Sequence, residues 1–539
     1  MRIASRRLLP AALAFALCCV AAASAQESRL PDIGSSAGTV LSPAKQAEYG
    51  SMVLAQLRHE GYILDDPLLD GWLRDVGLRL GAASDRPQQA FTFFMLRDRQ
   101  INAFATLGGY IGMNAGLVLA ADREDEVAGV LAHEISHVTQ QHVLRGAERA
   151  QRDSLPILLA TLGAIVAAQQ AGGTSSGDAT SAAVMSGLAL LQQRQIDYTR
   201  DNEAEADRVG IRTLAHAGFD PEAMADFFQT LQSVVRINQG DERSRAPSYL
   251  QTHPVTLTRI SEARERAGKL EKTVVPSGAG IASNPLLPAG LRIRPQGMRG
   301  RGNTGDFGWA RERLRVLSAN TPAQAVREYQ QMAAKKPLDD ARRYGLAYAH
   351  LRAGDEASAL KELVPVQAAH PDSLWLQISL GEVEARAGRI AEADKRFETL
   401  LARMPTHRAL ALSYAQVLAE RNTKASGSRA VAVLRPLLGS TASDALFQQA
   451  YARANEIAGD DIRAGEAWAE AAYLGGRPEQ ALVQLNNLKK RGNLDYYSRS
   501  RIEARIAAIT PTVLELRRQG IRDEEATGRW SLGVRADGW

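Results

Sequence analysis

The sequence predicts two parts: an α+β domain, mostly helical with a small sheet, followed by an all-α solenoid of paired helices. Three observations carry this reading. Helical and strand patterns are mixed between about residues 40 and 270. A proline- and glycine-rich stretch follows over 272–305, with the character of a linker. Beyond it, several residue types recur every 34 positions.

At 539 residues the chain suggests two to four domains of roughly 100–200 residues each. A content of 45% apolar and 23% charged residues argues against wholesale disorder, collagen or coiled coil. The net charge is +5, and Arg2, Arg6 and Arg7 supply three of those positives before residue 26. The remainder balances 62 basic against 60 acidic residues, so no nucleic-acid partner is expected. Those three arginines, the apolar run Leu8 to Ala23 and the small residues Ala23-Ser24-Ala25 predict a secretory signal over 1–25, cleaved before Gln26. The run is short for a membrane span of about 20 residues. Phe15-Ala16-Leu17-Cys18 is a poor lipidation box. Both cysteines, Cys18 and Cys19, lie in this segment, so the rest of the chain has neither disulfide nor thiol chemistry.

Within the first domain (26–271), Ala44 to Leu80 reads as helical, with apolar residues at three- and four-residue spacing. Phe91 to Leu96 is a compact β-type run, and Gly109 to Met113 reads as a second strand, weakened by its glycines. Asp122 to Arg149 reads as one strongly helical segment. In the second domain (306–510, ahead of a tail over 511–539), Pro337, Pro371 and Pro405 keep the 34-residue step, as do Gly354 and Gly388. Ala325, Ala359 and Ala393 keep it too, each followed four positions later by a large apolar residue: Tyr329, Leu363 and Phe397. This is the tetratricopeptide period, with small residues where paired helices approach and bulky ones in the core. The register loosens later, where Asn422 replaces the expected glycine. Such a solenoid binds partners and carries no catalytic machinery. The intervening linker predicts a first domain that folds without the repeats.

His133-Glu134-Ile135-Ser136-His137 is the segment that points to chemistry. On a helix, residues four apart differ by roughly 40° in direction, so both imidazoles can hold one zinc ion. Glu134 lies beside that face and can take a proton from the attacking water without occupying a coordination position. An apolar helical context makes an uncoordinated His-Glu-His cluster costly to bury. For a third ligand, His142 is about 140° round a continuous helix from His137 and should not reach. Gln140 and Val143 stand where a metzincin has glycine and histidine, which excludes that class. Arg200 to Asp207 opens another helix with Glu203 and Asp207 one turn apart. Glu203 can supply a carboxylate ligand and Asp207 can orient a ligand, against the plainer reading of a solvated acidic face.

His-Glu-x-x-His followed by Glu-x-x-Ala-Asp resembles the metallopeptidase family that includes the CAAX prenyl protease and HtpX. Asn102-Ala103-Phe104-Ala105, Gly108-Gly109-Tyr110-Ile111 and Thr252-His253-Pro254-Val255 with Arg259 are also similar to it. The resemblance implies a zincin-like domain with one zinc per chain, held by His133, His137 and Glu203, with Glu134 as general base. It selects Glu203 over Glu205. It also implies that His253 can approach the metal as a self-inhibiting switch. Arg259 could stabilise a developing oxyanion, with a surface salt bridge as the competing reading. The apolar segment Leu155 to Ala168, broken by glycine and serine after it, reads as a lid or a core helix. The strand around Gly109 to Met113 could hold an extended substrate by β-addition.

Export signal, peptidase domain and repeats together resemble periplasmic members of that family. This implies a protease that degrades misfolded or stalled outer-membrane β-barrel proteins and assists their assembly. It also implies contact with the β-barrel assembly machinery and peripheral membrane association. The alternative is a non-catalytic assembly chaperone whose zinc site is structural or vestigial, but a structural zinc has no need of Glu134.

Overall fold

The computed structural model describes residues 41–149, 198–238, 249–250, 253–270, 303–492 and 494–518. The expected signal, the apolar segment 155–168, Thr252 and nearly all of the expected linker lie outside them.

The expected helix over 44–80 is two helices. Helix α1 (Pro43–His59) starts after the N-cap Ser42, and α2 (Pro67–Ala82) after Asp66, whose carboxylate accepts from the amides of Leu68 and Leu69 at 3.1 and 3.0 Å. Between them Gly61 takes φ 75°, a left-handed conformation open to glycine, and ends the first helix. Ile63 then forms a bridge with Leu96 at the edge of the sheet.

The sheet holds β1 (Thr92–Leu96), β2 (Ala103–Thr106) and β3 (Tyr110–Asn114) in the order β1-β3-β2. Strand β3 runs parallel to β1 and antiparallel to β2. The strand expected to offer a free edge to substrate is therefore the central one, with both of its edges paired. The edge strand β2 was not anticipated, being only four residues long. Helix α3 (Ala115–Ala120) leads from the sheet to α4 (Glu124–Thr139).

The helix expected to run from 122 to 149 is interrupted after α4. Gln141 adopts φ 55°, and helix resumes as α5 over 142–149. Helices α6 (198–216), α7 (Ala223–Asn238) and α8 (Leu257–Leu270) complete the first part.

The second part is all helical: α9 (Phe307–Leu317), α10 (Pro322–Lys335), α11 (Asp340–Arg352), α12 (Glu356–Ala369), α13 (Leu374–Arg386) and α14 (Ile390–Arg403). It continues with α15 (Arg408–Glu420), α16 (Lys424–Leu434), α17 (Ala445–Ala458), α18 (Asp461–Leu474), α19 (Pro478–Lys489) and α20 (Tyr496–Arg518). Helix α20 runs through the boundary expected at 510. The periodic residues do the work their spacing suggests. Ala325, Ala359 and Ala393 are fully buried at helix contacts, beside buried Tyr329, Leu363 and Phe397. Gly354 and Gly388 turn the chain at φ 78°, and Asn422 takes the same role at φ 49°. Asparagine tolerates the left-handed region better than most side chains, which explains why it can replace a glycine here.

The solenoid is seated on the first part rather than tethered to it. Phe307 of α9 packs against Trp72 of α2, with ring centroids 6.3 Å apart. Trp72 donates its indole N–H to Glu124 at the start of α4, and Thr304 donates both its amide and its hydroxyl to the same carboxylate. Arg313 of α9 is buried against Asp66 at 2.8 Å and reaches Glu382 of α13 at 3.3 Å. Arg99 pairs with Glu328 at 2.8 Å, and Arg408 bridges Asp444 and Asp70. A first domain folding by itself is not what this seam suggests.

Candidate metal centre

Helix α4 forms where it does because Glu124, Asp125 and Glu126 occupy its first turn and favour the positive end of its dipole. Arg123 ties that end to Asp220 and Asp226, beyond α6. Its next residues, Val127 to Ala132, are buried on every side. Gly210 of α6 lies against the Ala132 carbonyl, where an added Cβ would sit 3.2 Å from that oxygen. Gly129 likewise faces the backbone of Met224 on α7, at 3.2 Å for an added Cβ. These glycines let α6 and α7 approach α4 one turn from His133. An isolated helical glycine carries no signal in the sequence of what it will face.

The approach brings His133, His137, Glu203 and His253 into one cluster, in which four ligand atoms lie within 4.8 Å of one another. Nε2 of His133 and of His137 are 3.0 Å apart. Each lies 3.4 Å from an oxygen of Glu203. Nδ1 of His253 is 2.9 Å from Glu203 Oε1 and 3.5 Å from His133 Nε2. The His253 ring stacks on Tyr249, with centroids 4.7 Å apart. Glu134 is 1% exposed, and its Oε1 makes no hydrogen bond, lying 3.7 Å from His253 Nε2.

A second layer fixes these groups. Asp207 meets Nδ1 of His133 at 2.9 Å, and Arg259 clamps Asp207 with two hydrogen bonds of 2.7 and 2.8 Å. Arg259 also contacts Glu203 at 3.0 Å and donates to the Pro254 carbonyl at 2.7 Å. His142 is not in the cluster; its Nδ1 faces Nδ1 of His137 at 2.8 Å. Glu205 points away from the cluster and meets His142 instead, at 3.3 Å.

The electrostatics fit a cation. Burial would push the His133 imidazole down, but Asp207 and Glu203 outweigh it and carry its pKa up to about 10. Burial would likewise raise Glu203, yet hydrogen bonds from His133, His137 and His253 hold it well below the carboxylate range. His137 is lowered, chiefly by burial. Glu134, Glu203 and Asp207 are all buried, and Arg259 is the only guanidinium touching them among the described residues. With neutral imidazoles the pocket carries two uncompensated negative charges, which one divalent ion balances. Two imidazole nitrogens 3.0 Å apart can share at most one proton, so the donor set also suits a metal such as zinc.

A His-Glu-x-x-His helix completed by a carboxylate from a second helix defines a zincin-like metallopeptidase. Residues 67–267 match peptidase family M48. Over 480 residues the chain is 31% identical to the beta-barrel assembly-enhancing protease of Escherichia coli (strain K12), covering 88% of this chain and 90% of that protein. The Yersinia pestis protein of the same name is 32% identical over 477 residues, with the same coverage. The metalloprotease LoiP of Escherichia coli is 28% identical over 176 residues, 33% of this chain and 62% of that protein. The chain therefore belongs to the beta-barrel assembly-enhancing proteases of family M48, and it is a zinc metalloendopeptidase.

Proposed function

We propose that this protein is a periplasmic endopeptidase in which His133, His137 and Glu203 hold one zinc ion and Glu134 is the general base. The observation that supports this best is the buried Glu134 carboxylate, one oxygen uncommitted, beside a cluster whose charge a divalent ion balances. Zinc, when bound, supplies Lewis-acid activation of water and of the scissile carbonyl. Glu134 takes the proton of the attacking water and delivers it to the leaving amine. Burial keeps its carboxylate from being screened and fixes its direction. The outer edge of β2, which packs beside α4 and pairs with no other strand among the described residues, is the better candidate for β-addition of an extended substrate.

Arg259 acts in this reading through the residues it holds. Its donors are engaged by Asp207, Glu203 and Pro254, so it positions His133 and Glu203 rather than facing a substrate oxyanion. His253 is a built-in inhibitor: its ring, seated on Glu203 and against Tyr249, stands among the residues that would hold the metal and would compete there with the attacking water. His253→Ala should raise proteolysis, including self-cleavage, with zinc retained; unchanged activity would reject the switch.

The clients are misfolded or stalled outer-membrane β-barrel proteins, and the solenoid recruits them together with the assembly machinery, on whose account the chain also acts as a chaperone. The predicted export signal and the relatives' name support this, as does the long helical surface. No described helix is long and apolar enough to cross a membrane. The test is Glu134→Gln. It should keep the fold and the metal and lose roughly 10²-fold or more of its cleavage of a denatured β-barrel protein, the range for a lost general base. Cleavage near the parent rate would overturn the mechanism.

A further inference from the structure

His142 is 4% exposed and belongs to no part of the mechanism above, yet it sits directly behind one of the clustered imidazoles. Its Nδ1 lies 2.8 Å from Nδ1 of His137, the nitrogen turned away from the cluster, whose Nε2 faces His133. The other side of the His142 ring, Nε2, meets Glu205 at 3.3 Å, and Arg145 holds Glu205 at 3.0 Å. Tyr198 donates its hydroxyl to the His142 carbonyl at 3.1 Å and fixes the backbone as well.

The backbone explains how a residue five positions after His137 can reach its back. On a continuous helix it would point elsewhere. Helix α4 instead ends at Thr139, Gln141 turns at φ 55°, and α5 begins at 142 with its first side chain folded under His137. Left-handed backbone is unfavourable for a glutamine by roughly 1 kcal/mol or more, so the packing around it must hold this turn.

The protons have a single consistent arrangement. If His137 offers its Nε2 lone pair to the metal, its Nδ1 carries the hydrogen and donates to His142 Nδ1. His142 must then carry its own hydrogen on Nε2, where the Glu205 carboxylate accepts it. We infer that His142, held by Glu205 and Arg145, is a positioning residue that fixes the tautomer and direction of His137 for metal binding. It parallels Asp207, which backs His133 and is clamped by Arg259. Helix α6 thus serves both sides of the site: Glu203 enters the cluster, while Glu205, two residues on and facing the other way, backs it through His142. This inference rests on the assignment of His137 as a ligand.

The test measures zinc affinity of the full chain by competition with a colorimetric chelator, alongside thermal unfolding of the metal-free proteins. His142→Leu removes the acceptor behind His137, and His142→Asn can restore one near the same place. Loss of such a backing group weakens metal binding by roughly 10–100-fold. His142→Leu should fall in that range, Glu205→Gln should show a smaller loss, and His142→Asn should recover most of the parent affinity. Affinities of His142→Leu and His142→Asn both within twofold of the parent would overturn the inference. So would equal losses in both that track lowered stability of the metal-free protein, which indicate packing alone. If His142→Leu does not fold, full affinity in Glu205→Gln together with a tenfold loss in His142→Asn would overturn it as well. His137→Ala is the control: zinc binding that survives it would refute the metal centre itself rather than the role of His142.

Discussion

The seam between the two parts, with a buried Arg313–Asp66 pair and half-buried pairs around it, and the buried metal cluster both gather charge, and they resolve it differently. At the seam Glu124 is held by Trp72 and Thr304, and the other carboxylates face a guanidinium: Asp66 and Glu382 share Arg313, Glu328 takes Arg99, and Asp444 and Asp70 share Arg408. In the cluster Glu134, Glu203 and Asp207 meet imidazoles, and Arg259 is their one guanidinium among the described residues. Buried ion pairs are weak evidence of net stability, but an unpaired member is expensive. The seam is thus closed by the protein's own side chains, whereas the cluster keeps a surplus of carboxylates that a metal ion would balance. A surplus of buried charge, not its mere presence, separates a functional site from a structural one here.

The largest expected effect comes from abolishing the seam. Ending the chain at residue 305 would uncover Trp72 and leave Asp66 without its arginine, so the remaining peptidase domain should be insoluble or unfolded. A soluble, cooperatively melting fragment would show that the seam is dispensable. Within the intact chain, Arg313→Met should cost about 3–5 kcal/mol, because it strands the buried Asp66 carboxylate. Adding Asp66→Asn should recover much of that loss, since asparagine still caps α2 while the charge is gone. Denaturant midpoints of the single and double variants check both statements.

Metal removal probes the other side of the comparison. At free zinc 100-fold above its dissociation constant, linkage gives about 2.7 kcal/mol of stabilisation. A chelator should remove that amount from the parent and little from a Glu203→Gln protein. The smallest effect is expected from Gly210→Ala. Its added methyl would press on the Ala132 carbonyl and move α6 outward, costing about 1–3 kcal/mol by overpacking. It should weaken zinc binding while leaving the seam intact.

How legible this was differs from one residue to the next. The solenoid was readable because a 34-residue recurrence engages alanine, glycine, proline and a bulky residue at once, and each has a geometric reason to recur. Asn422 could be read as a glycine out of place, and its positive φ shows why it suffices. His133, Glu134 and His137 announce themselves by spacing on one helix. Glu203 and Glu205 do not separate by composition alone; the fold separates them by turning one into the cluster and the other towards His142. The break at Gln141 was hidden because glutamine is a good helix former, and only tertiary packing imposes the left-handed turn. The short strand β2 and the paired charges of the seam were illegible for a related reason. Four residues carry too little periodicity, and an arginine destined for burial looks like any solvated one until its partners, hundreds of positions away, are known.

The metal centre is tested by zinc content, measured on purified full-length parent, Glu203→Gln and Glu205→Gln proteins after dialysis against metal-free buffer. The parent and Glu205→Gln should carry close to one zinc per chain, and Glu203→Gln should show a marked loss. Zinc retained by Glu203→Gln and lost from Glu205→Gln would contradict that expectation.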